Sequence, residues 1–507
     1  MSLIKKLAGE TAIYGLSSIV GRLVNWVILT PFLTRAFSQG EYGIISDLYF
    51  YIAFLLVLFT YRMETAFFRY ASRPPEEAAP ASTLDAPARS HHANTVFTTA
   101  SLSILATTII LTGLLLLLAP DIASWLRYPG REDYVRLFVL IIAFDALAAV
   151  PFAKLRLDSR PLRFAITKLG AMGLNILLIF FFLEFCPWAS ARGWTWVESF
   201  YRPDRRVAYV FWANLIASGA TLLVLAPLFR GLAQSFAVDL WRRMMRYSLP
   251  LVLAALAGIV NQLIGTPMLK YLGPGDTASN LDLAGIFAAA AKLAVLMNLF
   301  IQAFNYAAEP FFFRQAATSD DRTVYADVAR AFALVGSLAF LGIMLYLDII
   351  QYFLGDDFRE GLDVLPLLLV ANYFLGLYYN FAMSYKLTDR THLGGYIALG
   401  GSLLTVMINV WLIPSLGYLA PGWASLACYG GMAIAAYYVA RRFWPVDYPV
   451  KRMVYYLLLA LGLFAISELL RPYLDTLSVR LAVNTGLLLL GLGLLWRTER
   501  GWLRSIL

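Results

Sequence analysis

The stretch NWVILTPFL, Asn25 to Leu33, returns 236 residues later as NQLIGTPML, Asn261 to Leu269, with Asn, Ile, Thr, Pro and Leu at the same spacing. A second block, ETAFFR at 64–69, returns as EPFFFR at 309–314 and keeps the Glu, two Phe and the Arg. A third, weaker match aligns Arg160, Leu169 and Gly170 with Arg390, Leu399 and Gly400. Two matches that contain polar residues and keep their order point to an internal duplication. Both sit in or at the ends of long apolar runs, so the duplicated unit is a set of apolar helices.

Composition agrees. Of 507 residues, 60% are apolar and 14% charged, and mean hydropathy is +0.67. Soluble domains carry roughly 45–50% apolar and about 25% charged residues. An ordinary soluble enzyme, a disordered chain and a disulfide scaffold are excluded. Cys186 and Cys428 lie in or beside apolar runs and make neither a metal site nor a disulfide framework, and three histidines supply no zinc-hydrolase set.

A spanning helix needs about 20 mostly apolar residues. Fourteen stretches qualify: 10–34, 43–68, 95–119, 134–155, 162–184, 207–229, 247–271, 282–310, 325–347, 362–385, 391–414, 420–441, 452–470 and 479–496. A β-barrel is excluded because runs such as Leu111–Leu118 do not alternate. The first apolar run is too long for a cleavable signal and lacks a small-residue cleavage site. With the N-terminus inside, 25 of the 41 Lys and Arg fall in inside segments and 12 in outside ones, leaving Arg22, Arg62, Lys168 and Lys292 in spans. The positive-inside rule therefore puts both termini in the cytoplasm. The net charge of +9 is explained by this topology, and no nucleic-acid partner is expected. The segment 71–94, rich in Pro, Ala and Ser, reads as a linker. The segment 230–246 reads equally as a short interfacial helix, with Trp241 at the headgroups, or as a plain basic loop.

Six spans separate the repeated blocks, an even number, so both copies enter the membrane from the same side. The expected fold is an all-α polytopic membrane protein of about 14 transmembrane helices. Two parallel-repeat six-helix lobes, 1–230 and 231–443, surround a central cavity, and 444–507 adds two C-terminal helices.

Three stretches carry a family resemblance: YGLSSIVGRL at 14–23, LTRAFSQGEYG at 33–43, and the EPFFFR block. The chain resembles the polysaccharide (O-antigen, Wzx-like) flippases of the multidrug/oligosaccharidyl-lipid/polysaccharide exporter superfamily over most of its length. The resemblance implies a transporter, not an enzyme. Its substrate would be an undecaprenyl-pyrophosphate-linked oligosaccharide, moved by alternating access from the inner to the outer leaflet of a bacterial inner membrane for surface polysaccharide biosynthesis. It also implies a polysaccharide polymerase and a chain-length regulator as partners. No cofactor is expected, and proton or sodium coupling is the implied driving force.

Charges inside spans cost about 2.5–3.5 kcal/mol each near the bilayer centre, so they face water or a partner. A pyrophosphate crossing a low-dielectric bilayer needs cations and hydrogen-bond donors. Arg22, Lys292 and Lys168, with Asn25, Asn261 and Asn298, are the candidate substrate-binding set. For Arg22 and Lys292 the competing reading is a structural ion pair with Asp145; for Lys168 it is snorkelling to the interface. Arg62, Glu64, Asn305, Glu309 and Asp145 are the candidate gating or coupling set. Glu64 and Glu309 stand at matched positions of the repeat, each five residues before an Arg. The Thr-Pro pairs are expected to kink both repeated helices.

Three other functions compete. A drug antiporter of the same superfamily favours an acidic cavity. A lipid II flippase also has fourteen helices and a cationic cavity, with several arginines in its first two helices where this chain has Arg22 and Arg62. A membrane enzyme acting on lipid-linked sugars needs an outer catalytic loop. The longest one here, at 185–206, has Glu198 and Asp204 but no histidine. No nucleotide-binding loop is present, so ATP does not drive transport directly.

Overall fold

The computed structural model describes residues 3–72, 86–231, 236–318, 321–388 and 390–506. Within these, side chains are described except at 3–19, 86–90, 231, 307, 309–310, 313–318, 503 and 505–506. The core of the 71–94 linker lies outside the described residues. Every regular element among the described residues is helical, as the composition requires. Among the described residues, eleven helices are long and apolar enough to span a membrane, or twelve if Thr277–Leu293 and Val295–Tyr306, bent by 42°, count as one span. Fourteen were expected. One of the eleven, Thr391–Phe443, is a run of 53 residues holding two helices, and the 34-residue first helix is not among the eleven. The chain is a multi-pass membrane protein.

The chain folds into two compact units, 1–32 with 44–259 and 33–43 with 260–507. The first holds most of α1 (Leu3–Ala36) and α2 (Gln39–Thr60), then α3 (Met63–Ser72), α4 (Ala86–Leu117), α5 (Glu132–Leu157), α6 (Pro161–Phe180), α7 (Arg206–Leu225) and α8 (Val238–Leu263) to residue 259. Helix α5 packs between α4 and α7, and its neighbours bury Phe67, Phe97, Phe138 and Phe211. Trp241 lies in the first turn of α8, which runs unbroken through it, and its indole N–H donates to Ser103 Oγ at 2.7 Å, as the polar end of a tryptophan usually finds a partner.

The second unit holds α9 (Gly265–Leu272), α10 (Thr277–Leu293), α11 (Val295–Thr318), α12 (Thr323–Leu345), α13 (Leu365–Leu387), α14 (Thr391–Leu416), α15 (Ala420–Phe443), α16 (Val450–Leu470) and α17 (Leu477–Ile506). Its centre is α13 against α15, with α12 against α16. Residues 33–43 are built into it. Ser38 and Glu41 form a reciprocal capping box at the start of α2, with Ser38 N–H on Glu41 Oε2 at 3.0 Å and Glu41 N–H on Ser38 Oγ at 3.3 Å. Tyr42 is buried against Phe358, ring centroids 5.4 Å apart. Gly43 and Gly285 face each other where α2 crosses α10: a Cβ on Gly43 would strike the Leu281 carbonyl oxygen, and one on Gly285 the Gln39 carbonyl oxygen. Membrane helices approach this closely only through small residues. The SQGEYG motif is thus a cap, a buried aromatic and a crossing point.

The two terminal helices are tied to α12 at both ends. Glu499 on α17 is wholly buried; Arg330 of α12 and Arg452 of α16, the latter at 2.8 Å, donate to its two oxygens. Arg330 also donates to Tyr456 at 3.1 Å, and its guanidinium lies 4.4 Å from the Trp502 ring centroid. Near the other end of α12, Asp348 takes Arg471 and Arg480 at 3.2 and 3.3 Å. Asn484 donates to the Leu345 carbonyl and accepts from Ser467, both at 2.7 Å.

The repeated blocks fold differently in detail. The second Thr-Pro helix breaks at Ile264, between α8 and α9, whereas α1 continues through Pro31 as one helix. The first Glu-x-x-Phe-Phe-Arg block opens a new helix, α3, and the second lies inside α11.

Two substitutions test these contacts. Gly43→Leu is expected to lower stability by at least ~1–3 kcal/mol, because the clash is with backbone that cannot rotate away. Glu499→Ala strands Arg330 and is expected to cost ~3–5 kcal/mol. Both are read as the thermal unfolding midpoint of the purified protein.

Candidate functional site

In the first unit α1 and α6 lie side by side and parallel. Gly21 packs on Leu169 and Met172, and farther along Phe32 meets Phe180, ring centroids 4.4 Å apart. This register brings together two of the candidate cations. Lys168 on α6 is exposed, with Nζ 5.4 Å from the Phe164 ring centroid, and the charges of Arg22 and Arg156 act on it. Arg22 and Asn25 are both exposed on α1, one helical turn apart. Arg156, at the end of α5, joins Arg22 and Lys168; in the sequence it is indistinguishable from other basic loop residues. Arg22 and Arg156 each repel the Lys168 ammonium, and an anion relieves that repulsion.

Asp145 accepts a hydrogen bond from Ser218 of α7 and lies near Tyr49 of α2, whose hydroxyl accepts from Asn214 at 3.3 Å. These four polar groups tie α2, α5 and α7 together inside the first unit.

In the second unit Lys292 is exposed on the last turn of α10, two residues before the break at Ala294 where the chain bends by 42°. Asn298 and Asn305 follow on α11, half-buried. Asn261 takes a different position from Asn25. It is 5% exposed, donates to the Ala398 carbonyl at 3.3 Å and accepts from Thr405 at 3.5 Å, so it joins α8 to α14. The Glu309 side chain lies outside the described residues.

Arg62 and Glu64 sit at the break between α2 and α3. Tyr61 and Arg62 have φ of 34° and 59°, a left-handed turn that non-glycine residues rarely adopt. Arg62 pairs with Glu64 at 3.3 Å, and Tyr61 shares a 2.6 Å hydrogen bond with Ser103, the group that also takes Trp241. The other Glu64 oxygen, Oε2, is buried with no hydrogen-bond partner among the described residues. The strained turn is thus held by contacts to α4, which hydropathy alone reads through as one helix.

Comparison with known proteins adds the fold. No protein-family profile and no curated protein matches the sequence. Among solved structures, the chain is similar to the lipid II flippase MurJ in an inward-closed conformation, with TM-score 0.67 and 11% identity over 96% of this chain and 99% of that one. It is also similar to a multidrug-resistance MATE family transporter of the MOP superfamily in its inward-facing form (TM-score 0.58) and its outward-facing form (0.56). Each is 14% identical over 85% of this chain and 94% of that one. At these identities the likeness speaks for a shared fold, and the proteins that share it are transporters.

The strained turn is testable. Arg62→Gly relieves a backbone cost of ~1–3 kcal/mol and gives up a half-exposed ion pair worth ~0–1 kcal/mol. Its unfolding midpoint is expected to equal or exceed that of the wild type. Arg62→Val, β-branched at positive φ, is expected to unfold at a lower temperature.

Proposed function

We propose that this protein is a flippase for an undecaprenyl-pyrophosphate-linked oligosaccharide in a bacterial inner membrane, working by alternating access in surface polysaccharide synthesis. The observation that carries the reading is the cationic face of the first unit, where Arg22 and Arg156 bear on Lys168. A diphosphate is the part of such a substrate that a bilayer rejects, and guanidinium and ammonium groups replace its lost hydration. Lys292, beside the bend of the second unit, is the corresponding cation there. Asn25, Asn298 and Asn305 offer amides to sugar hydroxyls. Lobes at 1–230 and 231–443, with both termini cytoplasmic, are part of the same reading. So are coupling to a proton or sodium ion, with Asp145, Glu64 and Glu309 as candidates, and contact with a polymerase and a chain-length regulator.

A lipid II flippase is the second reading. It is favoured by the extent of the MurJ likeness, which takes in 96% of this chain against 85% for the MATE structures. The two readings share the lipid-linked diphosphate and differ in the glycan. Export of cationic drugs is disfavoured, because the face would repel them.

The test is flipping in vesicles holding the purified full chain, with fluorescent polyprenyl-pyrophosphate oligosaccharide or lipid II as substrate. A hydrogen bond to a charged group is worth ~1.5–3 kcal/mol, so Arg22→Ala and Lys292→Ala are each expected to weaken apparent affinity about tenfold or more. Arg22→Lys is expected to keep partial activity, since charge survives without the fork. Full activity of an Arg22→Ala, Lys292→Ala double variant rejects the reading. Preference for lipid II over the oligosaccharide selects the second one.

A further inference from the structure

The start of α8 carries charges that the transport reading does not use. Arg242, Arg243 and Arg246 stand in its first turns, and all three are exposed. Asp239 pairs with Arg242 at 3.5 Å. Helix α3 of the same unit brings a fourth guanidinium: Arg69 lies 4.3 Å from the Tyr247 ring centroid. Tyr70 donates to the Arg243 carbonyl at 3.2 Å, and the Tyr70 and Tyr247 rings meet edge-on, centroids 6.3 Å apart. The two tyrosines fasten the end of α3 to α8. Arg243 stands one turn before Tyr247 on the same side of α8, so the ring that holds Arg69 also sets it beside the α8 arginines. Arg69, Arg243 and Arg246 form no ion pair among the described residues. Like charges gathered by packing repel one another, and an anion relieves that repulsion.

Farther along, the exposed side of α8 changes character on a single stripe. Arg242, Arg246, Leu249 and Leu253 follow one another at spacings of four, three and four, which keeps them on one face. Leu249 is 52% exposed and Leu253 56%. At 1.5 Å per residue, Leu249 lies about 4.5 Å and Leu253 about 10 Å beyond Arg246 along the axis. The helix, Val238–Leu263, is apolar and long enough to span a membrane, so the leucines point toward the hydrocarbon and the arginines stand at its edge. Phe68, exposed next to Arg69, adds apolar surface on α3. Read inward along the stripe, the surface asks for an anion and then for hydrocarbon. A phospholipid presents the same order, its phosphate outside its acyl chains.

We propose that this stripe of α8 is a binding site for an anionic phospholipid of the leaflet at that end of the helix, such as phosphatidylglycerol. The phosphate sits on Arg242 and Arg246, Arg69 and Arg243 add positive field, and an acyl chain runs along Leu249 and Leu253. The guanidinium fork matches phosphate oxygens in pairs. Charge and order together pick this occupant. A zwitterionic lipid brings a cation of its own to four guanidiniums and one carboxylate. A soluble anion leaves the leucines uncovered. The site is independent of which lipid-linked substrate the protein moves.

The test is native mass spectrometry of the purified full-length protein, titrated with dioleoyl phosphatidylglycerol or dioleoyl phosphatidylcholine. The wild type is expected to retain the glycerol lipid at least about fivefold better, the effect of a single basic residue near an anionic headgroup. An Arg242→Gln, Arg246→Gln double variant, with an unchanged unfolding midpoint, is expected to erase that preference. An Arg192→Gln, Arg202→Gln variant, with the same change of net charge elsewhere in the unit, is expected to keep it. Phosphatidylglycerol with a diazirine in its acyl chain is expected to label the α8 stretch that holds Leu249 and Leu253. Equal retention of the two lipids by the wild type, an undiminished preference in the α8 double variant, or an equal loss in the Arg192, Arg202 variant overturns the proposal. So does labelling confined to other helices. Displacement of bound phosphatidylglycerol by equimolar undecaprenyl pyrophosphate also overturns it, since the stripe then belongs to the transported lipid. Should the α8 double variant unfold early, Arg242→Lys with Arg246→Lys decides: it is expected to keep a preference for the anionic lipid, and loss of that preference in a stable lysine variant counts against the proposal.

Discussion

A charge in hydrocarbon must be neutralised by a partner or kept wet, and that constraint sorts the ionisable groups of these helices into two kinds. Glu499 is wholly buried and takes two arginines; Asp348 likewise takes two; Asp145 leans on Ser218. These groups fasten helices. Arg22, Lys168 and Lys292 are exposed on their helices. The distinction separates structure from candidate chemistry more sharply than position along the sequence does, because all of these residues lie in or beside apolar runs.

The fastened groups explain how the terminal helices belong to the molecule. With lipid as solvent, apolar contact gives α16 and α17 no special reason to stay on α12. Charge networks near the two ends of the pair and the Asn484 hydrogen bond supply that reason, since separating the helices would leave the buried Glu499 and Asp348 without their arginines. The pair is therefore an integral part of the second unit, as its place in the same compact body shows.

Helix breaks do comparable work. Tyr61 and Arg62 turn left-handed, Ile264 separates α8 from α9, and Ala294 divides α10 from α11. Each break stands beside residues with chemical potential: Glu64, Asn261 and Lys292. A break frees backbone groups and reorients the side chains near it, which is how membrane proteins admit irregular backbone where it is sheltered or lines water. The Gly43–Gly285 crossing does the reverse, locking two helices at a distance no side chain permits.

The sequence by itself determined the all-helical membrane class, because twenty-residue apolar runs admit no other backbone solution in a bilayer. It also displayed the repeated blocks and the charges within spans. Periodicity carries no information on which of two matched residues faces a core. Asn25 and Asn261 occupy equal places in their blocks, yet one is exposed and the other bonds to Ala398 and Thr405. That outcome depends on what α14 presents, some 140 residues away. Arg22, Arg156 and Lys168 belong to three different helices, and only their packing lets the first two act on Lys168. The breaks at Tyr61 and Ala294 were equally hidden, since hydropathy runs smoothly through both. Local pattern decides whether a segment is a helix in lipid; what its polar groups touch is decided by neighbours distant in the chain.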